Sequence, residues 1–219
     1  MDFEFSEEQE ELRQTVRRFL DDKSPSSEVR RLMETTEGYD EGVWKQMAQE
    51  LGLQSLHLPE AHGGQGFTFV ELGIVLEEMG RVLLCAPYFS TVVLAANAII
   101  NAGTDDDQAA LLPGIASGET IAALAFTEPN GRWDAAGITM EATKKGDGYV
   151  LDGTKMFVID GHAANLIVVV ARTAGTSGEE GISFFTVEGD APGLTRTPLA
   201  TMDQDLAVAA KRVAVAVLP

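Results

Sequence analysis

Three stretches of the chain carry residue types and spacings that could do chemistry. Thr127-Glu128-Pro129, with Asp134 shortly after, closes a β-rich run. A Thr hydroxyl held at a strand end can hydrogen-bond the edge of a ring, and a proline that turns the chain away opens a pocket at the rim of a sheet. An ordinary strand-to-turn exit has the same sequence, and these residues alone do not decide between the two. Phe157, in Lys155-Met156-Phe157-Val158-Ile159-Asp160-Gly161, could stack on a flat ligand, although a core aromatic is the stronger reading of that residue by itself. Gly63-Gly64-Gln65-Gly66 precedes a helix, where bare backbone amides attract anions. It lacks the Lys-Ser/Thr of a phosphate loop and follows no clear strand, so a tight inter-helix turn is the stronger reading there.

The remaining polar clusters point to structure. Glu77 and Glu78, and the run Asp105, Asp106 and Asp107, could form a metal site or an acid/base dyad, but a solvated helix face and a helix N-terminus explain them better. His57 and His62 stand five residues apart on an irregular segment, and with His162 and the lone Cys85 they make no zinc motif. No Ser/His/Asp or Cys/His constellation can be argued, so no catalytic residue and no metal ligand are assigned.

The elements that must position these stretches fall into two halves. Ser6 followed by Gln9 is a capping box, and Leu12, Val16, Phe19 and Leu20 then form one apolar stripe. A second amphipathic segment, 39–51, places Val43, Trp44, Met47 and Leu51 on one face and stops at Gly52. A third, 68–84, turns Leu72, Val75, Leu76 and Met79 inward. A fourth, 88–101, is apolar nearly all round and reads as a central buried helix. Thr104 and Asp107 cap a short helix that breaks at Pro113. The period then changes. Residues 121–127, 137–143, 149–151, 166–172 and 182–188 are short β-rich runs between turn-forming pieces, and alternating Ala and Val over 213–217 add a terminal strand. No useful helix lies between them, which argues against parallel β-α-β units and for an antiparallel barrel or sandwich. The expected fold class is α+β: an N-terminal all-α helical domain, 1–119, followed by an antiparallel β domain, 120–219.

Composition bounds the partners. The chain's 219 residues, 45% hydrophobic, suit one large domain or two of about 100 residues each and argue against wholesale disorder. Its 34 acids and 16 bases give a net charge of −18, which argues against duplex nucleic acid or an anionic membrane, since both reward basic faces. A lone Cys85 cannot form an intrachain disulfide and fits a reducing cytoplasm. The acidic N-terminus is the reverse of a secretory signal, and the longest apolar stretch, 88–100, is too short for a bilayer and carries Asn97. The expectation is a cytoplasmic protein with no membrane span.

Several motifs, in order, resemble the acyl-CoA dehydrogenases: Phe5-Ser6-Glu7-Glu8-Gln9, Leu58-Pro59-Glu60-Ala61-His62-Gly63-Gly64, Ala125-Phe126-Thr127-Glu128-Pro129, and Gly148-Tyr149-Val150-Leu151-Asp152-Gly153-Thr154-Lys155. Val169-Val170-Ala171-Arg172 and Gly181-Ile182-Ser183-Phe184-Phe185 continue the resemblance, which runs to about Met202. It implies a helical domain followed by a β domain, FAD as cofactor, an acyl-CoA thioester as substrate, and an electron-transferring flavoprotein as electron acceptor. In that family a glutamate removes the α-proton while the β-hydrogen leaves as hydride to flavin N5. By resemblance, Leu124, Phe126, Thr127, Phe157, Val158 and Ile159 line the flavin and Trp133 touches the substrate. Thr127 bonds the isoalloxazine edge, and Phe157 stands where the family usually has a flavin-packing Trp.

The chain departs from the family at three places. Trp133 replaces a Ser within Thr127-Glu128-Pro129-Asn130-Gly131-Arg132-Trp133-Asp134, and Phe157-Val158-Ile159 replaces Trp-Ile-Thr. Each neutral hydrogen bond lost this way is worth about 1 kcal/mol, so flavin binding is weakened and not abolished. The family's C-terminal helical bundle, with the catalytic glutamate of many members, is expected outside this sequence. Apolar surface around 94–100 then favours self-association as a homo-oligomer. Besides an acyl-CoA dehydrogenase, the resemblance allows a non-catalytic subunit paired with a catalytic paralogue, or another flavoenzyme on the same fold, such as a nitroalkane oxidase or a flavin monooxygenase.

Overall fold

The computed structural model describes residues 4–197 and the backbone of 210–217. Helix α1 (Glu7–Lys23) opens on the expected capping box: the Ser6 hydroxyl accepts from the Gln9 amide, and the Gln9 side chain accepts from the Ser6 amide. It buries Val16 and Leu20. Helix α2 (Ser26–Met33) follows, then α3 (Glu41–Gln49), which buries Trp44 and Met47 and stops before Gly52 in the left-handed region at φ 61°. Trp44 Nε1 donates to the Gly118 carbonyl at 2.8 Å. Helix α4 (Phe69–Arg81) starts on a second capping box, Thr68 with Glu71, and Glu71 also accepts from Gln9 Nε2 at 2.7 Å. The starts of α1 and α4 are thereby tied together.

The two carboxylates on α4 separate sharply. Glu77 is exposed, but the Glu78 side chain is 1% exposed and accepts from Arg17 at 2.6 and 2.9 Å, Arg81 at 2.9 Å and Arg13 at 3.3 Å. Glu78 is therefore no solvated helix face, as its place beside Glu77 suggested. It is the anion at the centre of three guanidinium groups.

The glycine-rich loop behaves as a turn. The amides of Gly64, Gln65 and Gly66 donate to the carbonyls of Pro59, Ser55 and Leu58 at 3.1, 2.9 and 3.0 Å. Gln65 Nε2 reaches back to the Gly52 carbonyl at 2.7 Å and Ser55 Oγ at 2.9 Å. Amides already bonded to protein cannot cradle a phosphate.

The chain divides into two compact units. One takes the residues up to Phe89 together with Ala109–Glu119; the other takes Ser90–Gln108 and the residues from Thr120 onward. The apolar segment expected as one α-helix is a π-helical stretch, Phe89–Ala95, continuing into α5 (Ala96–Ala102). Within the second unit, the Thr91 hydroxyl donates to the Ala122 carbonyl at 3.1 Å and accepts from the Ala122 amide at 3.0 Å, so the helical segment satisfies the first residue of the sheet. Helix α6 (Asp105–Ala116) does not break at Pro113. Proline costs one intrahelical bond and a local clash, but it stands in the last turn, where Ser117 still closes onto the Pro113 carbonyl at 3.0 Å.

Six strands follow: β1 (Ala122–Ala125), β2 (Glu141–Lys145), β3 (Gly148–Gly153), β4 (Leu166–Thr173), β5 (Ile182–Glu188) and β6 (Ala210–Val217). Helices followed by a sheet meet the expected class, but the sheet is mixed and not wholly antiparallel. The pairs β2–β3, β4–β5, β3–β6 and β5–β6 are antiparallel, whereas β1 and β2 both run parallel to β4. A parallel pair needs a return crossover, and that crossover need not be a helix. Between β1 and β4 the β2–β3 hairpin makes it. Strand β4 is buried from Leu166 to Arg172 and forms the centre of the sheet. No helix of the described residues is long and apolar enough to cross a membrane.

Candidate functional site

Strand β1 sorts its residues by alternation. Ala123 and Ala125 are buried, whereas Leu124 and then Phe126 are half-buried on the opposite face. Thr127 and Glu128 follow, both buried. The Glu128 carboxylate accepts from the Thr139 amide at 2.9 Å, the Thr139 hydroxyl, the Met140 amide at 3.0 Å and Lys155 Nζ at 2.7 Å. Burial pushes its pKa up, but the bonds from Lys155, Thr139 and Met140 outweigh this and hold the carboxyl below its ordinary value. With every side of the carboxylate occupied, Glu128 is not poised as a proton acceptor.

A second buried charge forms no ion pair with a described residue. Arg172, 4% exposed, donates from Nε to the Ile138 carbonyl, from Nη2 to Ala135 and Gly178 at 2.8 and 2.9 Å, and from Nη1 to Glu180 at 3.3 Å. Backbone carbonyls, with the Thr176 hydroxyl at 3.5 Å from Nη1, solvate this cation. They pin the loop that leads from Trp133 into β2 to the turn between β4 and β5.

The segment after β3 is held out of its easy conformations. Phe157 and Asp160 both have positive φ, 55° and 54°, where residues with a Cβ are strained. Asp160 accepts from the Ser90 hydroxyl at 2.7 Å; burial raises its pKa, against that bond and the charge of His162. Arg196 Nη1 grips the carbonyls of Gly161, His162 and Ala164 at 3.2, 3.0 and 2.6 Å. Phe157 is 64% exposed, so the core reading of this ring is wrong: the left-handed turn aims it outward.

In the second unit the exposed large apolar side chains among the described residues are Trp133 (81%), Phe157 and Ile159 (47%). Phe126 meets Trp133 edge to face, with ring centroids 5.9 Å apart. A cavity of about 300 Å³ is walled by Phe157 and Val158 together with Ala125, Ile167 and Val169. Of the residues that the resemblance assigns to flavin or substrate it gathers only Phe157 and Val158. Leu124, Phe126, Thr127, Trp133 and Ile159 lie outside its wall.

The family description of the acyl-CoA dehydrogenase N-terminal domain matches residues 6–119, and that of the middle domain matches residues 123–208. This chain belongs to the acyl-CoA dehydrogenase family. Mitochondrial isovaleryl-CoA dehydrogenase of Pongo abelii is 33% identical over 202 residues, which cover 87% of this chain and 46% of that relative. Among solved structures, butyryl-CoA dehydrogenase from Megasphaera elsdenii superimposes with a TM-score of 0.83 at 27% identity, covering 100% of this chain and 58% of that one. The ChsE4–ChsE5 complex from Mycobacterium tuberculosis gives 0.79 at 29% identity, with 98% and 59% covered. The chain spans about half the length of the curated relatives it matches.

Membership in the acyl-CoA dehydrogenases gives the Thr127-Glu128-Pro129 turn and the 157–159 segment a common context. Sequence reasoning had passed over Lys155 and Arg172 as more than motif letters. For Arg172 the signal was there: it is a charge set against the apolar run Val168-Val169-Val170-Ala171. A charge at such a place is buried and must be paired or solvated.

Proposed function

We propose that the chain is the flavin-facing part of an FAD-dependent acyl-CoA dehydrogenase, which desaturates an acyl-CoA thioester and passes electrons to an electron-transferring flavoprotein. The helical domain is taken as 1–119 and the β domain as 120–219. The observation that carries this reading is that the exposed large apolar side chains described in the second unit are Trp133, Phe157 and Ile159, each at a position where the resemblance places flavin or substrate. A planar ring system is what such a face suits. Thr127 adds a polar handle: its hydroxyl makes no hydrogen bond to another described residue. The residues present therefore fit the flavin.

Bound FAD supplies the acceptor for a β-hydride at its N5. This chain's residues would orient and shield it: Phe157, Val158 and Ile159 would lie against the ring, Thr127 would donate to its edge, and Leu124 in β1 and Phe126 just after it would support it. Glu128 is held by its four donors and would not take the α-proton; by the resemblance that role would fall to another glutamate. Titration of the purified chain with FAD tests the reading. A flavin spectrum that survives desalting is expected, and Thr127→Val or Phe157→Ala is expected to weaken binding about tenfold, the equivalent of about 1.4 kcal/mol. A chain that takes up no FAD defeats it.

One observation favours a second reading. Trp133 and Ile159 remove hydroxyls that the family offers, and one of the structural neighbours is a two-component complex. A subunit that completes a heteromer with a catalytic paralogue is the alternative, and co-purification of a second family member distinguishes it from a homo-oligomer.

A further inference from the structure

We propose that the buried Lys155–Glu128 ion pair is a positioning element that sets the spacing between Thr127 and Phe157, and so builds the ring platform from two separate stretches of chain. The inference rests on the flavin reading for its purpose, but its geometry stands without a ligand. Lys155 Nζ donates to the Phe126 carbonyl at 3.3 Å and to Glu128 Oε1 at 2.7 Å, and the next residue, Met156, donates its amide to the Thr127 carbonyl at 2.8 Å. Glu128 carries the connection on to Thr139 and Met140, ahead of β2. One carboxylate and one ammonium thus join three segments, two of which end in the residues assigned to the ring face.

Stability does not account for the pair. The two side chains are 6% and 4% exposed. Removing charges so deep from water costs several kcal/mol per ion, and apolar residues of similar volume often serve a fold as well or better. What an ion pair adds is geometry, because only one arrangement satisfies both charges and the donors around them. The strain two residues further on points the same way. Phe157 keeps a left-handed φ while it is 64% exposed, so packing of the ring does little to compensate the strain. The surrounding connections must hold it, and the Lys155 brace on one side and the Asp160–Ser90 bond on the other are those connections.

The test compares wild type with Lys155→Met, Lys155→Arg and the Lys155→Met/Glu128→Gln double variant. Amide hydrogen exchange by NMR needs no flavin. In Lys155→Met the amides of Met156, Thr139 and Met140 are expected to lose at least tenfold in protection, while Val168 and Val169 on β4 keep theirs. The double variant, freed of its unpaired charge, is expected to recover thermal stability but not the protection at Met156, and to bind FAD at least tenfold more weakly than wild type. Lys155→Arg should recover part of both. Unchanged exchange at Met156 overturns the proposal. So does a loss spread evenly over β4 and β5, because the pair would then be structural only, and so does a double variant that binds FAD like wild type. Wild-type protein that takes up no flavin defeats the functional reading alone; the brace is then decided by exchange.

Discussion

Gly64→Ala is expected to destabilise the helical unit by about 3 kcal/mol or more, the range of severe overpacking against backbone. A Cβ on Gly64 would overlap the Leu58 carbonyl oxygen and stand 2.7 Å from the Leu58 Cβ. The obstacle is mostly backbone, so no rotamer change relieves it. The Leu58 carbonyl is also fixed where it is by the bond it accepts from Gly66. Gly73 is the internal control. It lies inside α4 with nothing within 4 Å of an added Cβ, so Gly73→Ala should stabilise by about 0.5–1 kcal/mol through helix propensity. Urea denaturation of both variants, followed by far-UV circular dichroism, checks the opposite signs. Equal effects would mean that the 58–64 contact is loose.

The second large effect is at Glu78. Its three arginine partners, Arg17 first, override burial and hold its pKa at about 2, against 4.5 for a free glutamate. Glu71 is also at about 2: burial opposes the shift, and the bonds from Thr68 and Gln9 carry it. Both carboxyls are depressed, so the unfolded chain binds more protons and stability rises with pH. The contribution is complete above about pH 4.5 and is lost as pH falls through 2. For Glu78 a shift of this size is on the order of 3 kcal/mol. Glu78→Ala, which leaves Arg13, Arg17 and Arg81 facing one another, should cost about as much at pH 7. Stability measured from pH 7 to 2.5 should fall below pH 4.5 in wild type and change less in Glu78→Gln. A wild-type profile flat to pH 3 would refute the assignment.

Much of this architecture is written in local chemistry. Ser6 and Gln9 announce α1, and Gly52 announces the end of α3, because capping and left-handed turns depend on a few neighbouring residues. The same chemistry at Thr68 and Glu71 was legible and went unread. What local chemistry does not encode is pairing at a distance. Nothing between Ala122 and Thr173 says that β1 and β2 run parallel to β4, because register depends on which apolar faces meet. The site divides along the same line. Thr127 and Phe157 stand in recognisable motifs, whereas Lys155 meets Glu128, 27 residues away, only once the segments that follow β1 and β3 are folded together. Glu78 was misread because adjacent residues on a helix point about 100° apart: one of a Glu-Glu pair can face water while the other faces three arginines.

The chain's two tryptophans are divided between the two units and between two environments. Trp44 is 2% exposed in the helical unit, and Trp133 is 81% exposed in the β unit. Indole emission shifts to the red as water reaches the ring, so the native spectrum is a sum of a blue and a red component. Melting of the helical unit moves only the blue one. A flat chromophore stacking on Trp133 dims the red one directly. The molecule thus carries a separate optical gauge for each half, with no label added.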